Sequence, residues 1–559
     1  MLKQKQTEVK QHNQSNTSSV EWWRGAVIYQ IYPRSLKDTN GDGVGDLPGI
    51  IEKLDYIASL GVDAIWISPI FKSPMKDFGY DISDYRDIDP LFGTLNDFDR
   101  LIHRAHGLGL KVIVDQVLSH TSDQHDWFQQ SRSSRNSSKS DWYVWADAKA
   151  DGTPPNNWLS IFGGSAWQWE PRRKQYYLHN FLVNQPDLNF HSDEVRQASL
   201  DNLEFWLKRG VDGFRLDAIN FCYHDAQLRD NPAKPEDRRE GRGFSEDNPY
   251  AYQYHFYNNT QSENLTFIKD IRVLLDEYPG SVSLGEISSE DSLVTMAEYT
   301  QGNDRLHMSY SFELLTEEFS ATYIRKTVEK LEVEMSDSWP CWTIGNHDVK
   351  RVVSRWNGDQ LSDEKSKLFS TLLCCLRGTV CSYQGEELGL TEAELQYDEL
   401  QDPYGIAFWP NFKGRDGCRT PIPWDSKENG SGFSETKPWL PIPNTHKLNA
   451  VNIQLSKENS VLRSFKQLLV WRKSLPLLIT GGISFLQLEE PLLGFFRKDE
   501  NQELLLIFNL SSQEHFLSDS DLNIVSQLKQ IKGPAIAPAK RTEEGYNFPS
   551  YSLLIADVF

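Results

Sequence analysis

The chain lacks any apolar run long enough to cross a membrane. Of its 559 residues, 39% are hydrophobic and 25% are charged, a balance typical of soluble globular proteins. A membrane-spanning helix needs about 20 consecutive apolar residues, and no stretch approaches that length. The composition therefore predicts a protein without a membrane partner.

An excess of basic residues is also missing. The 79 acidic residues outnumber the 58 Lys and Arg residues, which gives a formal net charge of -21. A charge of this sign promotes solubility and repels polyanions. It argues against a nucleic-acid partner, although it does not name a substrate.

Cysteine is scarce, and its spacing shows no metal-binding or redox motif. The cysteines form no CxxC pair and no zinc-like spacing with histidine. Reduced, packed thiols are the expected state, and disulfides or metal ligation are the alternative. The six residues are Cys222, Cys341, Cys374, Cys375, Cys381 and Cys418.

The amino-terminal segment has no apolar core of the kind that secretory signals carry. Residues 1–21 begin with MLKQKQTEVK and are polar, so we interpret them as a disordered tail. We therefore expect a cytoplasmic protein.

What the sequence does contain is an alternation of short apolar strands and helical patterns. Eight strand candidates with interposed helices predict an α/β fold, a parallel (β/α)8 TIM barrel built from residues 22–120 and 186–477. The candidate strands are 26–33, 62–69, 111–120, 211–221, 281–288, 305–313, 341–348 and 379–389.

Two connections are too long to be simple crossovers. Residues 121–185 are rich in Trp, Asn, Gly and Ser and predict a small inserted subdomain after the third strand. Residues 222–265 predict a charged insertion after the fourth strand. From residue 478 onward the pattern changes to short alternating strands, which predicts a C-terminal all-β sandwich domain over 478–559.

Polar side chains end several of the candidate strands. Functional groups of a (β/α)8 barrel lie at the carboxyl ends of its strands. A single aspartate there commonly caps the following helix, but a collection at one rim indicates a site. Two carboxylates that share a site suggest glycosidic chemistry, because one can protonate the leaving oxygen while the other attacks the sugar or activates water. The strand-end residues are Asp115, His120, Arg215, Asp217, Glu286, His347 and Asp348.

Four of these strand ends carry segments found together in one enzyme family. Over roughly residues 22–480 the chain resembles the α-amylase family of glycoside hydrolases, in the branch of bacterial α-glucosidases and oligo-1,6-glucosidases. The family segments are DQVLSH (115–120), GFRLDAINF (213–221), LGEIS (284–288) and IGNHDV (344–349), supported by GYDISDY (79–85), QPDLNF (185–190) and GRDGCRTPIPW (414–424).

The resemblance implies catalytic roles for three carboxylates. Asp217 matches the family nucleophile, Glu286 the general acid/base, and Asp348 the carboxylate that holds sugar hydroxyls. Retaining chemistry follows from the likeness and predicts that the carboxyl groups of Asp217 and Glu286 lie about 5–5.5 Å apart. Arg215 should lower the pKa of Asp217, whereas the surroundings of Glu286 should raise its pKa.

Further residues match positions that bind the glucosyl unit. His120 and His347 match the histidines that hydrogen-bond the sugar, Tyr80 the tyrosine beneath the ring, and Phe162 an apolar wall. For the two aromatic residues, ordinary core packing is the alternative.

Asp77 and Arg415 match an ion pair that closes the far end of the sugar site in this branch. A closed end makes a pocket, so one glucosyl unit is removed from a non-reducing end. The insertion 222–265 could narrow the entrance further and restrict substrates to short ones, a hypothesis that good activity on soluble starch would contradict.

The stretch DTNGDGVGDL (38–47) places oxygen-bearing side chains at alternate positions, with glycines that permit a tight wrap, and this suits a hard cation. Related α-glucosidases bind Ca²⁺ or Mg²⁺ there, so we expect a structural cation and no organic cofactor. An ordinary Asx/Gly turn is the alternative. The implied ligands are Asp38, Asn40, Asp42, the Val44 carbonyl and Asp46.

The resulting hypothesis is an exo-acting retaining α-glucosidase for short oligosaccharides or disaccharides, acting as a monomer or weak homodimer. In this branch a valine after the nucleophile accompanies α-1,6 cleavage, so Ala218 favours α-1,4 substrates such as maltose. Sucrose cleavage and transglucosylation stay open. The alternatives are an oligo-1,6-glucosidase, a sucrose isomerase, a trehalose-forming mutase, or a non-catalytic binding subunit.

Overall fold

The computed structural model describes residues 21–239, 248–356, 362–522, 524 and 527–559. The predicted tail, apart from Glu21, lies outside the described residues, as do residues 240–247 of the predicted insertion.

Eight parallel strands form one sheet. They are β1 Val27–Ile31, β2 Ala64–Ile67, β3 Lys111–Val117, β4 Gly213–Asp217, β5 Val282–Ile287, β6 Met308–Ser311, β7 Cys341–Thr343 and β8 Thr379–Tyr383. Their order in the sheet is β6-β5-β4-β3-β2-β1-β8-β7. A bridge between Ser309 of β6 and Pro340, just before β7, brings the two edges together. The predicted (β/α)8 barrel is therefore confirmed.

Each barrel strand is followed by a helix. The first illustrates the local signals: the Asp46 side chain accepts a hydrogen bond from the Gly49 N–H at its start, and Gly61 ends it at φ 92°. The helices are α1 Leu47–Leu60, α2 Leu95–Gly107, α3 Asp193–Lys208, α4 Asn264–Asp276, α5 Ser292–Thr300, α6 Ala321–Glu334, α7 Asp363–Cys375 and α8 Val461–Lys473.

Side chains alternate between the inside and the outside of the barrel. In β1, Val27 and Tyr29 join the large core between strands and helices, whereas Ile28 belongs to a separate cluster that includes Trp66 and Met308. This second cluster fills the barrel interior, as the period of two along a strand requires. The interior is thus packed, and a site can form only at its mouth.

Loops and short elements cover that mouth. After β2 a two-stranded sheet pairs Phe71–Lys72 with Asp84–Ile88. The segment after β3 contains the helix Asp126–Ser133 and a three-stranded antiparallel sheet of Trp145–Ala146, Gln175–Leu178 and Trp167–Glu170. Shorter helices outside the barrel ring include Glu236–Arg238, Pro249–Tyr252, Val352–Arg355, Pro403–Phe408, Asp416–Cys418, Asn444–Lys447, Val451–Ser456 and Leu477–Thr480.

The carboxyl-terminal region consists of two sheets, in which every strand pair is antiparallel except the pairing of Ala537–Pro538 with Ser552–Val558. The buried guanidinium of Arg497 donates hydrogen bonds to the carbonyls of Cys375 and Leu478, which fastens this region to the barrel. The expectation of a purely β region misses the short helix Asp519–Leu522. The strands are Gly482–Phe485, Leu492–Lys498, Glu503–Asn509, Ser552–Val558, Leu528–Gln530 and Ala537–Pro538 in one sheet, and His515–Ser518, Gly545–Phe548 and Lys540–Arg541 in the other.

Two expectations from composition can be compared with this fold. Among the described residues, no helix is both long and apolar enough to cross a membrane. All six cysteines are buried free thiols, as predicted.

Candidate active site

The predicted site residues meet at one cavity of about 130 Å³ at the carboxyl ends of the barrel strands. Arg215, His347 and Asp115 do not line it, but each contacts a side chain that does. The other residues predicted to act in catalysis or sugar binding all contribute to its wall. They are Asp77, Tyr80, His120, Phe162, Asp217, Glu286, Asp348 and Arg415.

Arg215 joins the two proposed catalytic carboxyl groups. Its Nη1 lies 2.5 Å from Oδ1 of Asp217, and its Nη2 lies 2.5 Å from Oε1 of Glu286. The arginine side chain is fully buried, and those of Asp217 and Glu286 are only 11% and 8% exposed. The planar guanidinium therefore fixes both carboxyl groups at the edge of the cavity.

Strand register supplies the remaining partners of Arg215. Asp115 on β3 is the neighbour of Arg215 on β4, and its Oδ1 accepts a hydrogen bond from Nη1 at 2.9 Å. Tyr310 on β6 is the neighbour of Glu286 on β5; its hydroxyl accepts from Arg215 Nη2 at 2.9 Å and donates to Glu286 Oε1 at 3.0 Å. Trp66 lies beneath the guanidinium at 4.9 Å.

Three carboxyl groups thus share one cation in a buried place. Burial raises the pKa of Asp217 to about 7 and that of Glu286 to about 7, although Arg215 pulls both downward. Burial also raises the pKa of Asp115 to about 6. The raised pKa predicted for Glu286 is confirmed. Arg215 does lower the pKa of Asp217, as predicted, but desolvation outweighs the cation and the net shift is upward.

The similar pKa values of Asp217 and Glu286 suit a pair of carboxyl groups that carries one proton between them. When two interacting carboxyl groups both titrate near neutrality, one can stay ionised while the other carries the proton. The backbone assists: Ala218 adopts a left-handed conformation at φ 39°, and its N–H donates to Glu286 Oε2 at 3.2 Å. The arrangement can therefore supply a proton donor and an ionised carboxylate on neighbouring strands.

Asp348 differs because two arginines face it. Nη1 of Arg415 and Nη2 of Arg419 lie 3.2 and 2.9 Å from its Oδ1. Burial opposes ionisation, but His347, Arg415 and Arg419 hold the pKa of Asp348 far below its usual range. The carboxylate is therefore permanently charged and can accept hydrogen bonds from sugar hydroxyls.

The predicted pair at the far end is present. Nη2 of Arg415 lies 2.8 Å from Oδ1 of Asp77. The same guanidinium binds Asp402 through Nη2 at 2.8 Å and Nε at 3.1 Å. Gln185 donates to Oδ2 of Asp77 at 3.1 Å. These contacts link three loops and close that end of the cavity.

His347 and Tyr80 form a hydrogen-bonded chain behind the cavity. Gln30 Nε2 lies 2.8 Å from His347 Nδ1. Because an amide nitrogen only donates, Nδ1 accepts and the ring proton of neutral His347 is on Nε2, 2.5 Å from the Tyr80 hydroxyl. Tyr80 in turn donates to Asp115 at 3.1 Å. Burial lowers the pKa of His347 to about 3, so it stays neutral at pH 7.

The other predicted histidine and the phenylalanine also line the cavity. Burial lowers the pKa of His120 to about 4, and its Nε2 lies 3.2 Å from the amide nitrogen of Gln185. Phe162 is part of the cavity, with the Arg415 guanidinium 5.4 Å from its ring centre. Phe181, Phe221 and Tyr404 complete an apolar side that the sequence did not indicate.

In the loop predicted to bind a cation, side-chain oxygens accept hydrogen bonds from neighbouring backbone N–H groups. Asp38 accepts from the N–H groups of Asn40, Gly41 and Gly43, and from the Ser434 hydroxyl. The Asp46 carboxylate accepts hydrogen bonds from the N–H groups of Thr39 and Gly49. The Asn40 side chain accepts one from the Asp42 N–H, and the Asp42 side chain accepts one from the Val44 N–H. Such turns leave lone pairs on the oxygens, so the donor set suits Ca²⁺ or Mg²⁺. Within the described residues, however, no group of three or more acidic, histidine or cysteine side chains is arranged so that it could hold a metal ion.

Sequence reasoning missed several residues that hold the site together. Asp402, Arg419, Tyr310 and Gln185 have no spacing that sets them apart. Asp402 precedes a proline and caps the helix Pro403–Phe408, a structural role that conceals its contact with Arg415. Arg419 and Gln185 lie inside the family-like runs GRDGCRTPIPW and QPDLNF, and this is the signal that could have indicated them.

Comparison with known proteins agrees with this geometry. Residues 30–481 match the family model described as "Alpha amylase, catalytic domain". The chain is 55% identical to a probable alpha-glucosidase of Rhizobium meliloti (strain 1021), over 90% of this chain and 92% of that protein. It is 38% identical to an oligo-1,6-glucosidase of Heyndrickxia coagulans, over 90% of this chain and 94% of that protein. The crystal structure of XgtA, an alpha-glucosyl transfer enzyme, superposes with a TM-score of 0.94 at 62% identity, covering 96% of this chain and 99% of that one. The chain thus belongs to the α-amylase family of glycoside hydrolases.

Proposed function

We propose that the protein is an exo-acting, retaining α-glucosidase that releases glucose from the non-reducing end of short α-glucosides. The observation that carries this proposal is the placement of Asp217 and Glu286 on adjacent nitrogens of Arg215, at one end of a cavity whose other end Asp77 and Arg415 close. The curated relatives named alpha-glucosidase support it.

The chemistry follows from the two carboxyl groups. The Asp217 carboxylate attacks the anomeric carbon while the Glu286 proton passes to the departing glycosidic oxygen. Glu286, now ionised, removes a proton from water, and the resulting attack on the glucosyl–Asp217 ester releases glucose with its α configuration. Asp348, with His120 and His347 nearby, holds the sugar hydroxyls throughout.

Linkage preference depends on the residue after the nucleophile. Ala218 lines the cavity, and its small side chain favours α-1,4 substrates such as maltose over isomaltose.

We further propose that the enzyme is cytoplasmic and acts as a monomer or weak homodimer, and that the loop 38–47 binds a structural Ca²⁺ or Mg²⁺.

Glucosyl transfer is the second candidate, favoured by the 62% identity to the transfer enzyme XgtA. Hydrolysis and transfer share the glucosyl-enzyme, and only the attacking hydroxyl differs.

One experiment tests both candidates. Maltose, isomaltose and sucrose are incubated separately with the protein, with and without an added alcohol, and the first product is observed by proton NMR. We expect the transferred glucosyl unit to be released as α-glucose, with maltose the best substrate. The configuration is taken from sucrose or from p-nitrophenyl α-glucoside, because the leaving glucose of maltose and isomaltose keeps the anomeric mixture of the substrate. β-Glucose as the first product, or undiminished turnover in a folded Asp217→Ala variant, would contradict the proposal.

A further inference from the structure

A second cavity, of about 310 Å³, adjoins the glucosyl cavity. The two share Ser288 and Phe312 in their walls. Ser288 is two residues beyond Glu286, so the cavities meet on the side where the general acid would release its leaving group. The second cavity is therefore placed to hold the leaving group, or an acceptor that replaces it.

One side of this second cavity comes from the insertion after β4, and the other from the loop after β5. Lys234, Tyr254 and His255 belong to the insertion, and Glu290 to the loop after β5. The cavity volume lies at the small end of the range for small-molecule sites, which runs from about 300 to 1,000 Å³.

Glu290 joins the two sides. Its Oε2 lies 2.8 Å from Nζ of Lys234, and its Oε1 accepts a hydrogen bond from the His255 N–H at 3.1 Å. The side chains of Lys234 and Glu290 are only 14% and 24% exposed, so water screens their attraction weakly. One carboxylate thus binds the insertion at two points 21 residues apart.

We infer that Glu290 is a positioning residue that holds the insertion over the second cavity and thereby restricts the leaving group or acceptor to about one sugar unit. The inference depends on the proposed glucosidase function. With the far end closed by Asp77 and Arg415, chain length can vary only on this side. When Glu290 keeps the insertion in place over the second cavity, the insertion limits the length of the sugar chain on the leaving-group side.

The test compares substrates of different length in matched variants. Lys234→Ala and Glu290→Ala each remove one partner, and the double variant removes both. Lys330→Ala is the control, because Lys330 contacts the neighbouring Asp291 at 3.2 Å and lines neither cavity. For each protein, kcat/KM is measured with maltose, maltotetraose and p-nitrophenyl α-glucoside.

We expect each single variant to raise the ratio of kcat/KM for maltotetraose to kcat/KM for maltose about fivefold. This is the factor that corresponds to the free energy of one well-formed ion pair. The double variant should gain no more than Glu290→Ala, because that substitution already removes both the Lys234 and the His255 contacts. The rate with p-nitrophenyl α-glucoside, whose leaving group is small, should stay within about twofold. Lys330→Ala should match the wild type throughout.

Two results would overturn the inference. One is a ratio that does not change in Lys234→Ala, a substitution that removes the ion pair but leaves the hydrogen bond from the His255 N–H to Glu290 available for folding. The other is an equal change in Lys330→Ala. A wild-type protein inactive on all three substrates would instead refute the proposed function, and the inference with it.

Discussion

Arg415 and Asp77 stand 338 positions apart in the chain, yet Nη2 of Arg415 lies 2.8 Å from Oδ1 of Asp77. The contact joins the loop after β2 to the loop after β8 across the end of the cavity. Because the same guanidinium also contacts Asp402 and Asp348, its position depends on three carboxylates. These contacts support the proposal that this end of the cavity is closed to a longer sugar chain.

Replacing Arg415 with lysine should disable the glucosyl cavity. An ammonium keeps the charge but cannot contact three carboxylates in fork geometry, which leaves buried charges unpaired. We expect kcat/KM for maltose to fall about 10²- to 10³-fold. The control is Arg541→Lys, which alters an exposed arginine–aspartate pair in the carboxyl-terminal region. Equal activity of the two variants would contradict the role of Arg415.

The rate should depend on pH through Glu286 and Asp217. Glu286 must be protonated and Asp217 ionised, and burial raises both pKa values to about 7. We expect a narrow bell-shaped profile of kcat/KM with its maximum near neutrality. Measurement from pH 5 to 9 checks this, and a flat rate up to pH 9 would exclude Glu286 as the acid.

The same shift predicts a stability difference in Glu286→Gln. The pKa of Glu286 is higher in the folded than in the unfolded state, so its stabilising contribution is complete below about pH 4.5 and is lost as pH rises through 7. Relative to Glu286→Gln, the wild type should lose about 3 kcal/mol of unfolding free energy between pH 4.5 and 8. Urea unfolding at both pH values measures the difference, and a pH-independent difference would argue against the raised pKa.

Tyr310 positions Glu286, and its replacement should move the pH profile. Its hydroxyl donates to Glu286 Oε1, which favours the ionised carboxylate. In Tyr310→Phe we expect the alkaline limb to move to higher pH and kcat to fall about tenfold. Tyr299→Phe, which alters a buried tyrosine on α5 outside the cavity, is the matched control. A lower kcat with an unchanged pH profile would show that Tyr310 contributes only to packing and does not affect the pKa of Glu286.

If the loop 38–47 binds a cation, the ion should stabilise the fold without entering the chemistry. Added Ca²⁺ or Mg²⁺ should raise Tm in proportion to the logarithm of its concentration, and EDTA should reverse the effect. Asp42→Ala should abolish the response, whereas Asp55→Ala, which changes another exposed aspartate, should retain it. A Tm independent of both cations would favour a plain turn.

The sequence predicted the barrel because its strands are short, apolar and separated by helices of regular length. It also predicted the lining residues that sit inside contiguous motifs, such as Asp217 in GFRLDAINF and Glu286 in LGEIS. These positions depend mainly on local pattern and on the rule that barrel sites lie at strand ends.

Contacts between distant loops were less predictable. Tyr310 reads as an ordinary strand aromatic, and only the register that pairs it with Glu286 reveals its hydroxyl contact. Asp402 reads as a helix cap. The sign of the Asp217 shift also required coordinates, because it depends on burial and on Asp115, 102 positions away.

The join between β6 and β7 has a consequence for heat inactivation. In the described part of the chain, a single bridge from Ser309 to Pro340 connects these strands, whereas β3 and β4 pair over five positions. Amide hydrogens along this seam should exchange with solvent sooner than those of β3. Since β6 carries Tyr310 and the loop after β7 carries His347 and Asp348, the first fraying of the barrel would dismantle its chemistry while most of the fold persists.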